Sequence, residues 1–218
     1  MTPEAIRHLS QVDPVLGELI ARVGPCGLVP ETRRSPFESL VRAVAHQQLH
    51  GKAAETILGR FLAHFPGKRF PDPGDLAAVP DTALRAAGFS GSKIAALRDI
   101  AAKSLDGTVP TSRQIVRLSD EEIVERLTAC RGVGRWTVEM LLIFKLGRPD
   151  VLPVDDFGVR EGYRVTYRKR QQPKPRQLAE VGERWAPYRT TAAWYLWRAA
   201  DEAKAKPQAA SAKPKKAA

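Results

Sequence analysis

The strongest constraint in this sequence is a repeated set of helix start and stop signals, with few of the alternating runs that are typical of strands. In "SPFESLVRAVAHQQL", Ser35 is placed as an N-cap, Pro36 as the first helical residue and Glu38 as the third residue of a capping box. A second capping box pairs Ser119 with Glu122 and opens a helix. This punctuation predicts an all-α fold.

Apolar residues at helical spacing predict further helices along the chain. They are expected at 53–65, 81–87, 92–105, 119–129, 135–146, from the Asp155–Asp156 pair onward, at 176–185 and at 188–200. The segment "RWTVEMLLIFKLG" is apolar on nearly every face, which predicts a buried helix stopped by Gly147. Residues 204–218 are rich in Ala, Lys and Pro, and this composition predicts a disordered tail.

The charge balance points to a polyanionic partner. The 218 residues contain 35 Lys and Arg against 24 Asp and Glu, a formal net charge of +11. Nucleic acid is the first candidate for such a chain. The two cysteines are too few for a disulfide framework, a four-thiolate zinc site or a four-cysteine iron–sulfur cluster, and the four histidines form no ligand pattern. Without a secretory or membrane-spanning segment, we expect a soluble, intracellular protein.

The segment "CRGVGRWTVEM" places Gly132 and Gly134 between two predicted helices. Glycines permit a tight turn, and the second helix presents unpaired N–H groups and the positive end of its dipole. Such a turn can bind a phosphate, although many Gly-x-Gly turns only connect helices. The buried second helix, Arg135 at its start and the basic chain favour phosphate binding here.

The block "LTACRGVGRWTVEMLL…DVLPVDDFGVR" resembles the helix-hairpin-helix DNA glycosylase superfamily. Within it, the chain is similar to the 3-methyladenine DNA glycosylase II family over roughly Ser35 to Trp197, including "VRAVAHQQLHGKAAETI" and "ERWAPYRTTAAWYLW". The resemblance implies a core of residues 1–203 with two helical lobes around a cleft, near 36–108 and 1–35 plus 109–203. It also implies an N-glycosyl hydrolase of base excision repair that acts on alkylated purines, such as 3-methyladenine, in duplex DNA.

Lyase-capable members of the superfamily place a lysine at the position of Trp136, and an indole cannot form the Schiff base that such a lysine forms. The resemblance therefore implies a monofunctional glycosylase that uses water as the nucleophile. Two alternatives stay open: an oxidised-purine glycosylase, disfavoured by the missing lysine, and a non-catalytic helix-hairpin-helix module that only binds DNA.

The resemblance also assigns roles to residues. Asp156 is the expected catalytic carboxylate, which stabilises positive charge on the sugar, while Asp155 caps the following helix; N-capping by both acids is the alternative. Trp136 and Trp197 are expected to stack on the cationic base. Trp185, Tyr188 and Trp194 are expected in the core.

Because a base inside a duplex must be flipped out, a wedge has to fill the gap in the stack. Leu49 in "HQQLHG" is the expected wedge, with a minor core contact as an almost equal alternative, and Gln48 and His50 are expected to contact DNA. His50 departs from the small or apolar residue of relatives. The basic segment 164–176 is either a solvated loop or a DNA contact.

No organic cofactor is expected. The resemblance implies a Na⁺ or K⁺ ion held by the backbone carbonyls of Thr128, Cys130 and Val133. We expect a monomer without a membrane partner, in the cytoplasm with the nucleoid if the source is bacterial.

Overall fold

The computed structural model describes residues 2–211, and across that range it contains α-helices and one 3₁₀ turn but no strand. The prediction of an all-α fold is confirmed. Contacts divide the chain into two units: a middle unit, Glu31–Leu146, and a terminal unit formed by the residues up to Pro30 and those from Gly147 onward. Among the described helices, none combines the length and apolarity that crossing a bilayer requires.

The middle unit contains eight helices in the described chain. They are α3 (Pro36–His46), α4 (Gly51–Leu62), α5 (Pro73–Ala78), α6 (Asp81–Ala87), α7 (Gly91–Leu105), α8 (Ser112–Ile115), α9 (Asp120–Thr128) and α10 (Arg135–Phe144). The predicted capping box of Ser119 and Glu122 on α9 is confirmed. Ser35 caps α3 as predicted, but the Glu38 side chain bonds Arg42 instead of closing a capping box. At the centre of the core, Phe61 contacts the rings of Phe65 and Phe89 edge-on at 5.2 and 5.8 Å between centroids.

The terminal unit is formed by α1 (Pro3–Val12), α2 (Pro14–Val23), α11 (Phe157–Thr166), α12 (Pro175–Gly182), a 3₁₀ turn (Glu183–Trp185) and α13 (Arg189–Ser211). Its core includes the fully buried Trp185, with Tyr188 and Trp194 packed against it, so the core assignment of these three aromatics is confirmed. Helices α1 and α2 were not predicted from the sequence.

Two predicted boundaries differ from the structure. Residues 109–146 group with the middle unit rather than with the chain termini, because the hairpin backbone is bonded to α7 through Asp99 and to α3 through Gln47. Helix α13 continues to Ser211, so residues 204–211 of the predicted disordered tail are helical. The rest of that tail lies outside the described residues.

Helices α11 and α13 lie in close contact because α11 carries two glycines one turn apart. A Cβ added to Gly162 would lie 1.9 Å from the backbone oxygen of Leu196, and one added to Gly158 would lie 2.8 Å from Cδ1 of Trp197. No side chain fits in either space. The approach of the two helices therefore depends on glycine at both positions.

We predict that Gly162→Ala destabilises the protein by about 3 kcal/mol, because the new methyl group would push α11 off the backbone of α13. Urea unfolding measures the change. Gly59→Ala is the matched control: Gly59 is also helical and has open space around its Cβ position, so alanine there should stabilise by about 0.5 kcal/mol or more. Equal stability of the two variants would contradict the close approach.

Candidate functional site

The turn between α9 and α10 has the hairpin geometry that the sequence predicts. Gly132 has a left-handed backbone, with φ of 76°, and the N–H of Val133 closes the turn on the carbonyl of Cys130 at 3.1 Å. Gly134 has extended angles instead and is the N-cap of α10, so no side chain caps this helix. Because the cap residue is a glycine, it leaves space for an anion beside the first backbone N–H groups of α10.

Helix α7 holds the hairpin through a carboxylate that the sequence analysis did not identify. The backbone N–H of Arg131 donates to Oδ2 of Asp99 at 2.7 Å, and Nζ of Lys103 donates to the same oxygen at 2.7 Å. Burial opposes ionisation of Asp99, yet the hydrogen bonds from Lys103 and Arg131 bring its pKa below the ordinary value. The hairpin backbone is thus fixed by a charged side chain from another helix.

The predicted DNA-binding residue Arg135 lies between two carboxylates. Its Nη2 is 2.8 Å from Oε1 of Glu121, and its Nε is 3.2 Å from Oε1 of Glu139. The hydrogen bond from Arg135 lowers the pKa of Glu121 and the same pair raises that of Arg135. The guanidinium is half-exposed and held in a defined direction.

The predicted wedge loop, residues 47–50, connects α3 to α4. Gln48 has φ of 57°, which is unusual for a residue other than glycine, and Leu49 is 39% exposed. This exposure places Leu49 outside the core and meets the requirement for a wedge. Gln47 precedes these residues and donates its side-chain Nε2 to the carbonyl of Gly132 in the hairpin at 2.8 Å. His50 is the N-cap of α4 but makes no side-chain capping bond.

A cavity of about 600 Å³ lies within the middle unit. Trp136, Met140 and Phe144 line it from successive turns of α10, and the first of these is 47% exposed. The predicted buried helix is therefore buried on most of its surface but presents this apolar stripe to the cavity. Leu40 and Ala43 of α3 contribute further apolar wall, and His46 and Glu55, 3.1 Å apart, supply polar groups.

In the terminal unit, Asp156 is the N-cap of α11. Its Oδ1 accepts two hydrogen bonds of 2.8 Å, one from the backbone N–H of Val159 and one from the indole N–H of Trp197. Gly158 allows this contact because any larger residue would collide with the indole. Trp197, for which only stacking was predicted, therefore also orients the carboxylate.

The prediction that Asp155 caps the helix is wrong. The chain forms a turn in which the N–H of Asp156 donates to the carbonyl of Pro153 at 3.0 Å, and the helix begins only at Phe157. Asp155 lies within this turn and is exposed, so the cap falls to the second acid of the pair.

The basic segment 164–176 is tied to α11. Arg164 Nη2 and Gln172 Nε2 both donate to Glu161, at 2.7 and 2.8 Å, and Arg160 donates to the carbonyl of Pro173 at 2.9 Å. Arg164, then Gln172, lower the pKa of Glu161 to about 2. The remaining basic side chains of the segment are exposed: Arg168, Lys169, Arg170, Lys174 and Arg176.

The monovalent cation on the carbonyls of Thr128, Cys130 and Val133 stays a prediction. The oxygen of Cys130 accepts one N–H bond and keeps a second lone pair. Burial raises the pKa of the Cys130 thiol to about 11, so the sulfur stays protonated and is a poor ligand. Across residues 2–211, the His, Cys, Asp and Glu side chains form no cluster of three or more that would hold a metal ion.

The sequence and the fold of this chain are similar to those of known proteins. Residues 41–187 match the family described as HhH-GPD superfamily base excision DNA repair protein. The chain is 44% identical over 194 residues to DNA-3-methyladenine glycosylase 1 of Schizosaccharomyces pombe, covering 88% of this chain and 84% of that protein. A solved structure of an S. pombe 3-methyladenine DNA glycosylase in complex with abasic DNA has a TM-score of 0.80 at 44% identity, covering 89% of this chain and 95% of that one. DNA-3-methyladenine glycosidase from Bacillus halodurans has a TM-score of 0.84 at 36% identity, covering 94% and 92%.

We predict that Glu161→Gln destabilises the protein by about 1 kcal/mol at pH 6 and less as the pH falls. The pKa of Glu161 is about 2 in the folded protein against an ordinary 4.5, so its contribution is complete above 4.5 and disappears towards 2. Urea unfolding at pH 6 and pH 3 measures the difference. Glu180→Gln, which removes an exposed partner of Arg176, should have little effect at either pH. A loss in Glu161→Gln that does not change with pH would contradict the assignment.

Proposed function

Because the chain belongs to the HhH-GPD superfamily of base excision DNA repair proteins, we propose that it is a monofunctional DNA glycosylase that excises alkylated purines such as 3-methyladenine from duplex DNA. The observation that carries this proposal is the residue at position 136. A half-exposed indole lies in the first turn of α10 and lines the cavity, where lyase chemistry would need a lysine amine. The enzyme therefore hydrolyses the glycosidic bond with water and leaves the strand intact.

Breaking the bond between base and deoxyribose develops positive charge on the sugar, as in glycoside hydrolysis. Asp156 supplies the negative charge that stabilises this state, and it orients or deprotonates the attacking water. The bonds from Val159 and Trp197 support this role because they fix Oδ1 in place before reaction. A carboxylate that is already oriented needs no reorganisation as the charge develops.

The cavity of the middle unit suits an alkylated purine. Such a base is flat and positively charged, and an indole face attracts cations while it stacks on rings. Trp136 supplies that face, and Met140 and Phe144 extend the apolar wall. Trp197 keeps its proposed stacking role beside its bond to Asp156. Stacking and charge select loosely, which is sufficient because a cationic base is already a good leaving group.

Duplex binding is assigned to the hairpin and the wedge loop. The backbone N–H groups around Gly132 and Gly134, with Arg135, bind phosphates of one strand. Leu49 fills the gap left by the flipped base, and Gln48 and His50 contact the neighbouring backbone or the opposite base. The exposed cations of segment 164–176 add charge that attracts DNA.

A Na⁺ or K⁺ ion on the carbonyls of Thr128, Cys130 and Val133 would support the hairpin backbone without taking part in the reaction. No organic cofactor is required, since hydrolysis needs only the carboxylate and water. A monomer is sufficient for this reaction. In a bacterium, the protein would act in the cytoplasm at the nucleoid, where the DNA is.

The two alternatives have less support. An oxidised-purine glycosylase would need the amine that position 136 lacks. A module that only binds DNA has no use for an oriented carboxylate, which would repel phosphates. The binding module predicts tight binding to intact duplex without base release, and the glycosylase predicts tighter binding to an abasic site.

We predict that the wild-type protein releases free 3-methyladenine from methylated duplex DNA without nicking it, and that Asp156→Asn reduces the release at least about 100-fold. Chromatography of the released bases measures it, with nicking scored on a denaturing gel. Asp155→Asn is the matched control, because this neighbour is exposed and does not cap α11. Equal loss in both variants would contradict the assignment, and no release by wild type together with tight binding to intact DNA would favour the binding module.

We predict that Trp197→Phe lowers kcat about tenfold with little change in KM, because phenylalanine keeps a stacking ring but cannot donate to Asp156. Trp194→Phe on the same helix should keep wild-type kcat. Single-turnover rates at saturating protein separate the chemical step from binding. Wild-type kcat in Trp197→Phe would show that the indole acts by stacking alone.

A further inference from the structure

The wedge loop contains a residue with an unfavourable backbone conformation. This residue is Gln48, with φ of 57°, and left-handed backbone angles are unfavourable for residues other than glycine. Such a conformation persists when surrounding structure fixes it. The N–H of Leu49 donates to the carbonyl of His46 at 3.2 Å, and the other local bonds, at the N–H of Gln47 and the carbonyl of His50, join the two ends of the loop to α3 and α4.

The hairpin supplies a bond from outside. Gln47 is the C-cap of α3 and donates its side-chain Nε2 to the carbonyl of Gly132 at 2.8 Å, across 85 positions of sequence. Gly132 is itself fixed: its backbone is left-handed, its Cβ position lies 3.3 Å from Cβ of Ala96, and the preceding N–H, that of Arg131, is bonded to Asp99. The loop is therefore attached to a rigid point of the hairpin.

We propose that Gln47 is a positioning residue that fixes the wedge loop to the hairpin, so that Leu49 is held ready for insertion at a set distance from the phosphates that the hairpin binds. This inference rests on the proposed function. It assigns Gln47 no contact with DNA. Its role is to hold the loop that carries Leu49 in one conformation before binding. A free loop would lose conformational entropy when the protein binds damaged DNA, which would weaken binding.

Gln47→Met and Gln47→Glu test the bond. Methionine has nearly the same length but no donor, and an ionised glutamate puts a second acceptor against the carbonyl of Gly132. Gln114→Glu on α8 is the control for charge, because Gln114 is the third residue of a capping box in which glutamate also fits. Global stability measured by urea unfolding should be almost unchanged in all three variants.

The first measurement uses DNA-free protein. Hydrogen exchange of the Leu49 amide should become about tenfold faster in Gln47→Met and stay at the wild-type rate in Gln114→Glu. Unchanged exchange in Gln47→Met would overturn the proposal, whatever the protein does to DNA.

The second measurement is the ratio of affinities for a duplex with a tetrahydrofuran abasic analogue and for the intact duplex, obtained by fluorescence anisotropy at one salt concentration. We expect this ratio to fall about tenfold in Gln47→Met and Gln47→Glu and to stay within twofold of wild type in Gln114→Glu. Using the ratio cancels any general effect of charge on DNA binding.

A double-mutant cycle then shows whether Gln47 acts through Leu49. If it does, adding Gln47→Met to Leu49→Ala lowers the ratio no further. Full additivity would overturn the positioning role. One combination of results separates this proposal from the proposed function. If exchange is faster in Gln47→Met but the wild type neither prefers the abasic duplex nor releases bases, the bond from Gln47 to the hairpin is upheld. The proposed function and the role of the loop as a wedge are then overturned.

Discussion

The close approach of α11 to α13 at Gly162 sets the distance between these two helices, and the position of Asp156 in the terminal unit depends on that distance. With no Cβ at this position, the backbone of α11 lies directly against the carbonyl of Leu196. One turn earlier, Gly158 leaves space for the indole of Trp197, which reaches the cap residue Asp156. The carboxylate is thus oriented by helix packing, and a change of a few tenths of an ångström between the helices would alter the bond that holds it.

A buried carboxylate joins the helices around this pair. Asp13, only 2% exposed, accepts the hydroxyl of Tyr167 at 2.6 Å, the indole N–H of Trp185 at 2.9 Å and the N–H of Leu16 at 3.1 Å. Burial, together with the bond to Asp13, raises the pKa of Tyr167, so its hydroxyl remains a donor. Three donors satisfy this buried carboxylate, which joins the start of α2 to the far end of α11.

Local signals were sufficient for most of the helices and for the hairpin, but not for the residues that hold them. Capping boxes and the Gly-x-Gly turn involve residues only a few positions apart, so the sequence alone predicts them. Asp13 followed by Pro14 is the same kind of signal, an N-cap before a helix-starting proline, and it marks α2, which the sequence analysis missed. Asp99 and Gln47 carry no local signal, because their partners lie 32 and 85 positions away. The cap role was predicted for Asp155 and is held by Asp156. Aspartate is a good N-cap at either position, and only the turn at Pro153 decides between them.

The two carboxylates beside Arg135 differ in a way that suits a phosphate-binding arginine. The side chain of Glu139 is 8% exposed and that of Glu121 is 75% exposed. A solvent-exposed ion pair contributes little free energy, so replacing Glu121 by a phosphate costs little, whereas breaking the ion pair with the buried Glu139 would cost far more. The guanidinium has five N–H donors in a fixed plane, so it can keep Glu139 on Nε while its terminal nitrogens change partner. The buried acid orients the arginine, and under the proposed function the exposed acid is the partner that a DNA phosphate would replace.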